Sequence, residues 1–114
     1  SVYDNGSPLS IYMDLNKQNE IYRFDYPSGR SNSYTYVRYN TDPTTRVFWS
    51  SPDSFTIIHQ GFPITSPIIN YSTYSNENGD GKQFIYLNPS MVNDTLEVQG
   101  CIDLNCDKVQ FIIQ

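Results

Sequence analysis

Apolar and polar residues alternate with period two along most of this chain, and turn residues break the alternation about every 8–12 positions. Such alternation sends successive side chains to opposite faces of a strand. Leu9, Ile11, Met13 and Leu15 alternate with Ser10, Tyr12 and Asp14 before a polar turn at residues 16–19. Residues 20–26 set Tyr22, Phe24 and Tyr26 against Ile21, Arg23 and Asp25. A loop over residues 27–32 follows, rich in Pro, Gly, Ser and Asn. Residues 33–40 then set Tyr34, Tyr36 and Arg38 against Thr35, Val37 and Tyr39. Asp42-Pro43 ends that strand, because a residue before proline is pushed to extended or turn geometry. The six-residue loop between the last two segments predicts that they pair as a hairpin.

Val47, Phe48 and Trp49 form the next short strand, closed by a turn at residues 50–54. Phe55, Ile57 and His59 share a face of the strand beyond it, which Gly61-Phe62-Pro63 is expected to stop. Val47, Trp49, Phe55 and Ile57 alternate around that turn, so all four are expected in one core. Residues 64–74 read as extended, with Pro67 marking an edge or a bend. Residues 75–82 are the most polar stretch, and residues 83–87 return to a strand. After a turn at residues 88–90, residues 94–102 and 108–113 predict a terminal hairpin around residues 103–105. No apolar stripe of period 3.6 is long enough for a surface helix, and nothing repeats at a fixed period. The prediction is an all-β chain of about nine short strands in a two-sheet antiparallel sandwich, immunoglobulin-like or jelly-roll. It forms one domain over residues 1–114.

Composition strengthens this reading. Val, Ile, Thr, Tyr, Phe and Trp total 42 of 114 residues, the strong helix formers total 23, and alanine is absent. Ser, Thr, Asn and Gln make up 38 residues and only 17% are charged, so the surface bonds through neutral groups. The net charge of −5, with seven scattered Lys and Arg, argues against nucleic acid even though Arg38 lies among tyrosines. No apolar run reaches the ~18 residues of a membrane span, so no membrane insertion is expected. No basic-then-apolar leader precedes Ser1, which leaves a processed chain and an excised domain both open.

Cys101 and Cys106 stand without a second Cys or His pair, which is not zinc spacing. A polar reversal between them would bring them into disulfide reach and place the chain in an oxidising compartment. The spacing Cys…Trp…Cys of a true immunoglobulin domain is absent, since both cysteines follow Trp49. Asn5-Gly6-Ser7, Asn70-Tyr71-Ser72 and Asn93-Asp94-Thr95 are glycosylation sequons, although this composition produces about two by chance. Together these features point to an extracellular or secreted setting, viral and cell surfaces included.

Catalytic chemistry finds little support. His59 is the sole histidine, and a nucleophilic triad needs a base, an orienting acid and an activated serine in one place. Glu20, Glu77 and Glu97 fall in a turn, a loop and a strand with nothing to bring them together. Asn76, Asn78 and Asp80 followed by Gly81 copy the first half of a calcium loop, but the twelfth position is Leu87 and flanking helices are missing. Asx-rich hairpin geometry explains them better. Neither a metal nor another cofactor is expected.

Tyrosine is the unusual feature, at ten residues. Tyr22, Tyr26, Tyr34, Tyr36 and Tyr39 lie on the two segments predicted to pair, where they would form an aromatic ladder. Tyrosine contributes contact area at low entropic cost. The expected function is therefore a non-enzymatic extracellular adhesion or interaction domain that binds a protein partner, a second copy of itself included. The alternatives are a carbohydrate-binding module that stacks glycan rings on these tyrosines, and a structural subunit of a filament, fibre or viral surface.

Overall fold

A computed structural model describes residues 6–53, 56–59, 62–65 and 71–114, with side chains at residues 6–53 and 72–114. Eleven strands are present among the described residues, and the helical element is a single 3-10 turn, Pro89–Met91. The strands are β1 (Ser10–Tyr12), β2 (Lys17–Gln18), β3 (Ile21–Phe24), β4 (Ser33–Asn40), β5 (Arg46–Ser50) and β6 (Thr56–His59). They continue as β7 (Phe62–Thr65), β8 (Tyr71–Tyr74), β9 (Asp80–Leu87), β10 (Thr95–Ile102) and β11 (Asn105–Ile113).

Two sheets result. One is ordered β1-β4-β9-β6-β7 and the other β2-β3-β11-β10-β5-β8. Taking β1, β4, β5, β6, β9, β10 and β11 in turn as strands A to G gives A-B-E-D opposite G-F-C. That is the order of an immunoglobulin-type sandwich, with β2, β3, β7 and β8 as additions.

Alternation sets the inward faces as the sequence predicts. Thr35, Val37 and Tyr39 of β4 point inward, as do Val47 and Trp49 of β5. Ile85 and Leu87 of β9, Leu96 and Val98 of β10, and Val109, Phe111 and Ile113 of β11 complete one core with Ile11, Met13 and Tyr22. Phe55 lies outside the described residues, as does the side chain of Ile57. The terminal hairpin forms as predicted, with Cys101 opposite Cys106 and the reversal at Asp103, which takes φ 51°.

Four expectations need correction. The segments 20–26 and 33–40 do not pair, because β3 joins the six-stranded sheet and β4 the five-stranded one. The loop between them is a crossover that lets Tyr22 and Val37 bury from opposite sheets. The sandwich is also not wholly antiparallel, since β3 runs parallel to β11 with Tyr22 beside Phe111. The strands number eleven rather than nine, because β2 forms within the stretch expected as a turn at residues 16–19 and the segment read as extended over 64–74 is replaced by two strands, β7 and β8, in different sheets. Finally, β6 ends at His59, before Gly61-Phe62-Pro63 as expected, but the next strand starts at Phe62 rather than at residue 64: Phe62 and Pro63 belong to β7, an edge strand, where a residue without an N–H is tolerated.

Two glycines bring the sheets close. Tyr39 lies opposite Gly81 in the five-stranded sheet, and Trp49 lies opposite Gly100 in the six-stranded one. Gly81 leaves room for the Tyr39 ring to lie over the backbone, and Gly100 leaves room for Ile11, Val47 and the edge of Trp49. The two rings then meet edge to face with centroids 5.2 Å apart. Their polar ends are satisfied together on β8. The Trp49 Nε1–H donates to Thr73 Oγ1 at 2.8 Å, and the Tyr39 hydroxyl sits 2.9 Å from the same oxygen. The Tyr39 hydroxyl donates to the Tyr74 carbonyl at 3.2 Å, so its oxygen is left to accept from Thr73.

Candidate functional site

The five tyrosines singled out from the sequence separate into two groups. Tyr22 and Tyr39 are core residues, and Tyr26 is half-buried, packs against the core, and donates its hydroxyl to the Arg30 carbonyl at 3.1 Å. The reason is parity: Tyr39 shares a face with Val37, and Tyr22 with Phe24, so burial of those faces takes the rings inside. Tyr34 and Tyr36 have the opposite parity and lie on the outer face of β4.

Their neighbours come from β9 rather than from β3. Tyr36 lies opposite Phe84 and Tyr34 opposite Tyr86. The Phe84 ring contacts both tyrosines, with centroids 5.9 Å from Tyr34 and 5.6 Å from Tyr36. Tyr34 is 63% exposed, and Phe84 and Tyr86 are 38% and 37% exposed. Four aromatic rings therefore form one patch on the outside of the five-stranded sheet. Sequence reasoning missed Phe84 and Tyr86, although their alternation with the buried Gln83, Ile85 and Leu87 marks them as outward-facing.

A polar cluster bounds the patch on one side. Lys82 Nζ sits 4.6 Å from the Tyr36 ring centre, and the Arg38 guanidinium lies 5.6 Å from that of Tyr12. Asp14 accepts from the Tyr36 hydroxyl at 3.1 Å and pairs with Arg38 at 3.1 Å. The bond to Asp14 is the main cause that holds the Tyr36 phenol above its ordinary pKa, and the same carboxylate keeps Arg38 more firmly protonated. The phenol thus stays neutral and fixed, with its ring presented outward.

A smaller aromatic cluster occupies the outer face of the other sheet, where Arg46 stacks between Phe48 and Tyr74 at 5.3 and 5.4 Å. Next to it, Cys101 and Cys106 are joined by a disulfide, with Cα atoms 4.1 Å apart. Parity again decides the position: both cysteines face outward, so the bond clips the hairpin on the surface.

The remaining candidates resolve differently. The Asn76 side-chain oxygen accepts from the N–H groups of Asn78 and Asp80 at 2.8 and 2.9 Å, and Asp80 accepts from Asn40 at 2.7 Å. These oxygens close a turn, and among the described residues no group of acids, His and Cys is placed to hold a metal. Glu20 pairs with Lys17 and Glu97 with Lys108, with no convergence of carboxylates. Asn93 is exposed at φ 79°. Asn5, Asn70 and the side chain of His59 lie outside the described residues. No helix among the described residues is long and apolar enough to cross a membrane.

No protein-family model matches the chain, and no curated protein matches it. Among solved structures it is similar to the ASH / PapD-like domain of human CEP192 (PapD-like domain 7), at 15% identity and a TM-score of 0.49, over 93% of this chain and 83% of that one.

Proposed function

We propose that this chain is a non-catalytic interaction domain that binds a protein through the outer face of β4 and β9. The observation that carries the reading is the patch of Tyr34, Tyr36, Phe84 and Tyr86 on a solvent-facing sheet surface, where Phe84 contacts both Tyr34 and Tyr36 and Tyr86 lies opposite Tyr34. Contiguous apolar surface of this kind marks interaction sites, and tyrosine is enriched at interface cores. Asp14, Arg38 and Lys82 supply polar groups along its border, as interface rims do. The Cys101–Cys106 bond supports an oxidising, extracellular setting. A glycan partner draws less support, because Trp49, the widest stacking platform in the chain, is only 3% exposed.

The test places a photoreactive phenylalanine analogue at position 34 and irradiates the protein in its native surroundings. Expected is a covalent product with a polypeptide, a second copy of this chain included, that disappears when Phe84→Ser is introduced. A product bearing only glycan, no product, or one indifferent to Phe84→Ser would overturn the reading.

A further inference from the structure

The two sulfurs at the head of the terminal hairpin have different surroundings. Cys101 and Cys106 stand directly opposite each other on β10 and β11, both on the outer side of the six-stranded sheet. Beyond Cys101, the next outward position across the sheet is Phe48 of β5, whose ring carries the Arg46 guanidinium. Beyond Cys106 the sheet is open. β3 meets β11 only at Phe111–Ile113, and among the described residues no strand pairs with β11 at Cys106 on that side. β1 reaches β11 nearby through the Asp107 carboxylate, which accepts from the Ile11 N–H at 2.7 Å. Asp107 has the parity of the buried Val109, so this tie lies on the inner face and leaves the outer one clear. Cys106 is accordingly exposed and Cys101 half-buried.

A polar contact adds to the difference. The Gln99 side-chain amide, on the same face two residues before Cys101, donates to Cys101 Sγ at 3.4 Å. Exchange between a thiol and a disulfide requires access to one sulfur and a second sulfur that leaves readily as thiolate. Access favours Cys106, and the amide favours departure of Cys101. The fold does not depend on the bond. The hairpin is paired from Thr95–Ile112 to Ile102–Asn105, and a link across a separation of five residues removes little entropy from the unfolded chain.

We propose that Cys106 is a site of covalent capture, which takes the thiolate of an incoming cysteine and releases Cys101. The thiolate approaches Cys106 Sγ from the open side of β11, in line with the bond to Cys101. Its sulfur bonds to Cys106, and the bond between Cys106 and Cys101 breaks. The electron pair of the broken bond stays on Cys101 as a thiolate, which accepts the Gln99 N–H and then takes a proton from water. One S–S bond replaces another, so no separate oxidant or reductant is consumed. Attack on Cys101 would have to come across Phe48. The ligand chemistry is a cysteinyl thiolate, which small thiols and the cysteines of partner proteins both supply.

The probes are reduced glutathione and a thioredoxin reduced to a single active-site cysteine. Each is mixed with the oxidised chain, quenched at successive times, alkylated and mapped by peptide mass. Expected with glutathione is a mixed disulfide on Cys106 and an alkyl group on Cys101. An adduct with both probes extends the site to protein thiols, and an adduct with glutathione alone confines it to small ones. Phe48→Ala removes an exposed ring, opens the second approach and should put part of the adduct on Cys101. Gln99→Leu should slow exchange at least about twofold without moving the adduct, because the departing thiolate loses its donor. In the parent, an adduct on Cys101 or shared evenly, loss of the bond with no adduct at any time, or no reaction with either probe would overturn the proposal. So would a site preference that survives Phe48→Ala together with a rate indifferent to Gln99→Leu.

Discussion

Replacing Gly81 with alanine tests how the two sheets are brought together. Gly81 does not need a left-handed backbone, unlike Gly29 and Gly79 at φ 76° and 84°. Alanine is therefore free of backbone strain there, and any cost comes from the added methyl. That methyl would lie 2.2, 2.3 and 2.6 Å from Cζ, Oη and Cε1 of Tyr39. The ring is 1% exposed and wedged against Trp49, so it moves only by disturbing the core. Overpacking of this kind costs about 1–3 kcal/mol. Loss of the hydroxyl bonds to Thr73 and Tyr74 adds about 1 kcal/mol each. Reduced freedom of the unfolded chain returns about 0.4–1 kcal/mol. The net is a destabilisation of roughly 2–4 kcal/mol, a large share of the ~5–15 kcal/mol typical of domains. Urea melts would show a lower midpoint at unchanged slope, and thermal melts a Tm lower by about 10 °C. In a Tyr39→Val background the same substitution should be neutral or mildly stabilising. A Gly81→Ala variant that melts with the parent, or an equal penalty in both backgrounds, would refute the argument.

Three further outcomes are expected. Burial is the main cause that raises the Tyr39 phenol above its ordinary pKa, while the Thr73 bond pulls the other way; folding thus favours the protonated form, and this contribution is intact below pH ~10 and lost as pH climbs through the raised folded value. Urea melts from pH 8 to 11 should show that alkaline loss in the parent and a smaller one in Tyr39→Phe. Tyr34→Ser with Phe84→Ser should shift Tm by no more than about 3 °C, since both rings are exposed; a collapse of the fold would make them structural. Reducing Cys101–Cys106 should cost about 2 kcal/mol, and intact mass should show two alkylations only after reductant.

How much of this was readable from the sequence depends on the range of the signal. Face assignment was readable, because burial follows parity along each strand: Val37 and Tyr39 inward, Tyr34 and Tyr36 outward. Pairing was not. A six-residue loop after Tyr26 suits a hairpin and a sheet-to-sheet crossover equally, and only the contact of Tyr22 with β11 decides between them. The aromatic patch was half visible for the same reason. Tyr34 and Tyr36 stood out by composition, whereas Phe84 and Tyr86 join them through a register between strands some fifty residues apart in sequence. The turn at Asn76 was legible from local chemistry alone, since Asx side chains bond to the backbone two residues on.

The meeting of Trp49 with Tyr39 also gives the molecule an optical gauge of its own closure. Trp49 is the only tryptophan, so all indole emission comes from one place. Its N–H is bound to Thr73 on its own sheet, while the ring at its edge belongs to the opposite sheet. Separation of the sheets would bring water to the indole and shift its emission to the red, and would also end excitation transfer from Tyr39. Events confined to the outer faces would leave the signal still. Unlabelled protein can thus distinguish a ligand that settles on the surface from one that pries the layers apart.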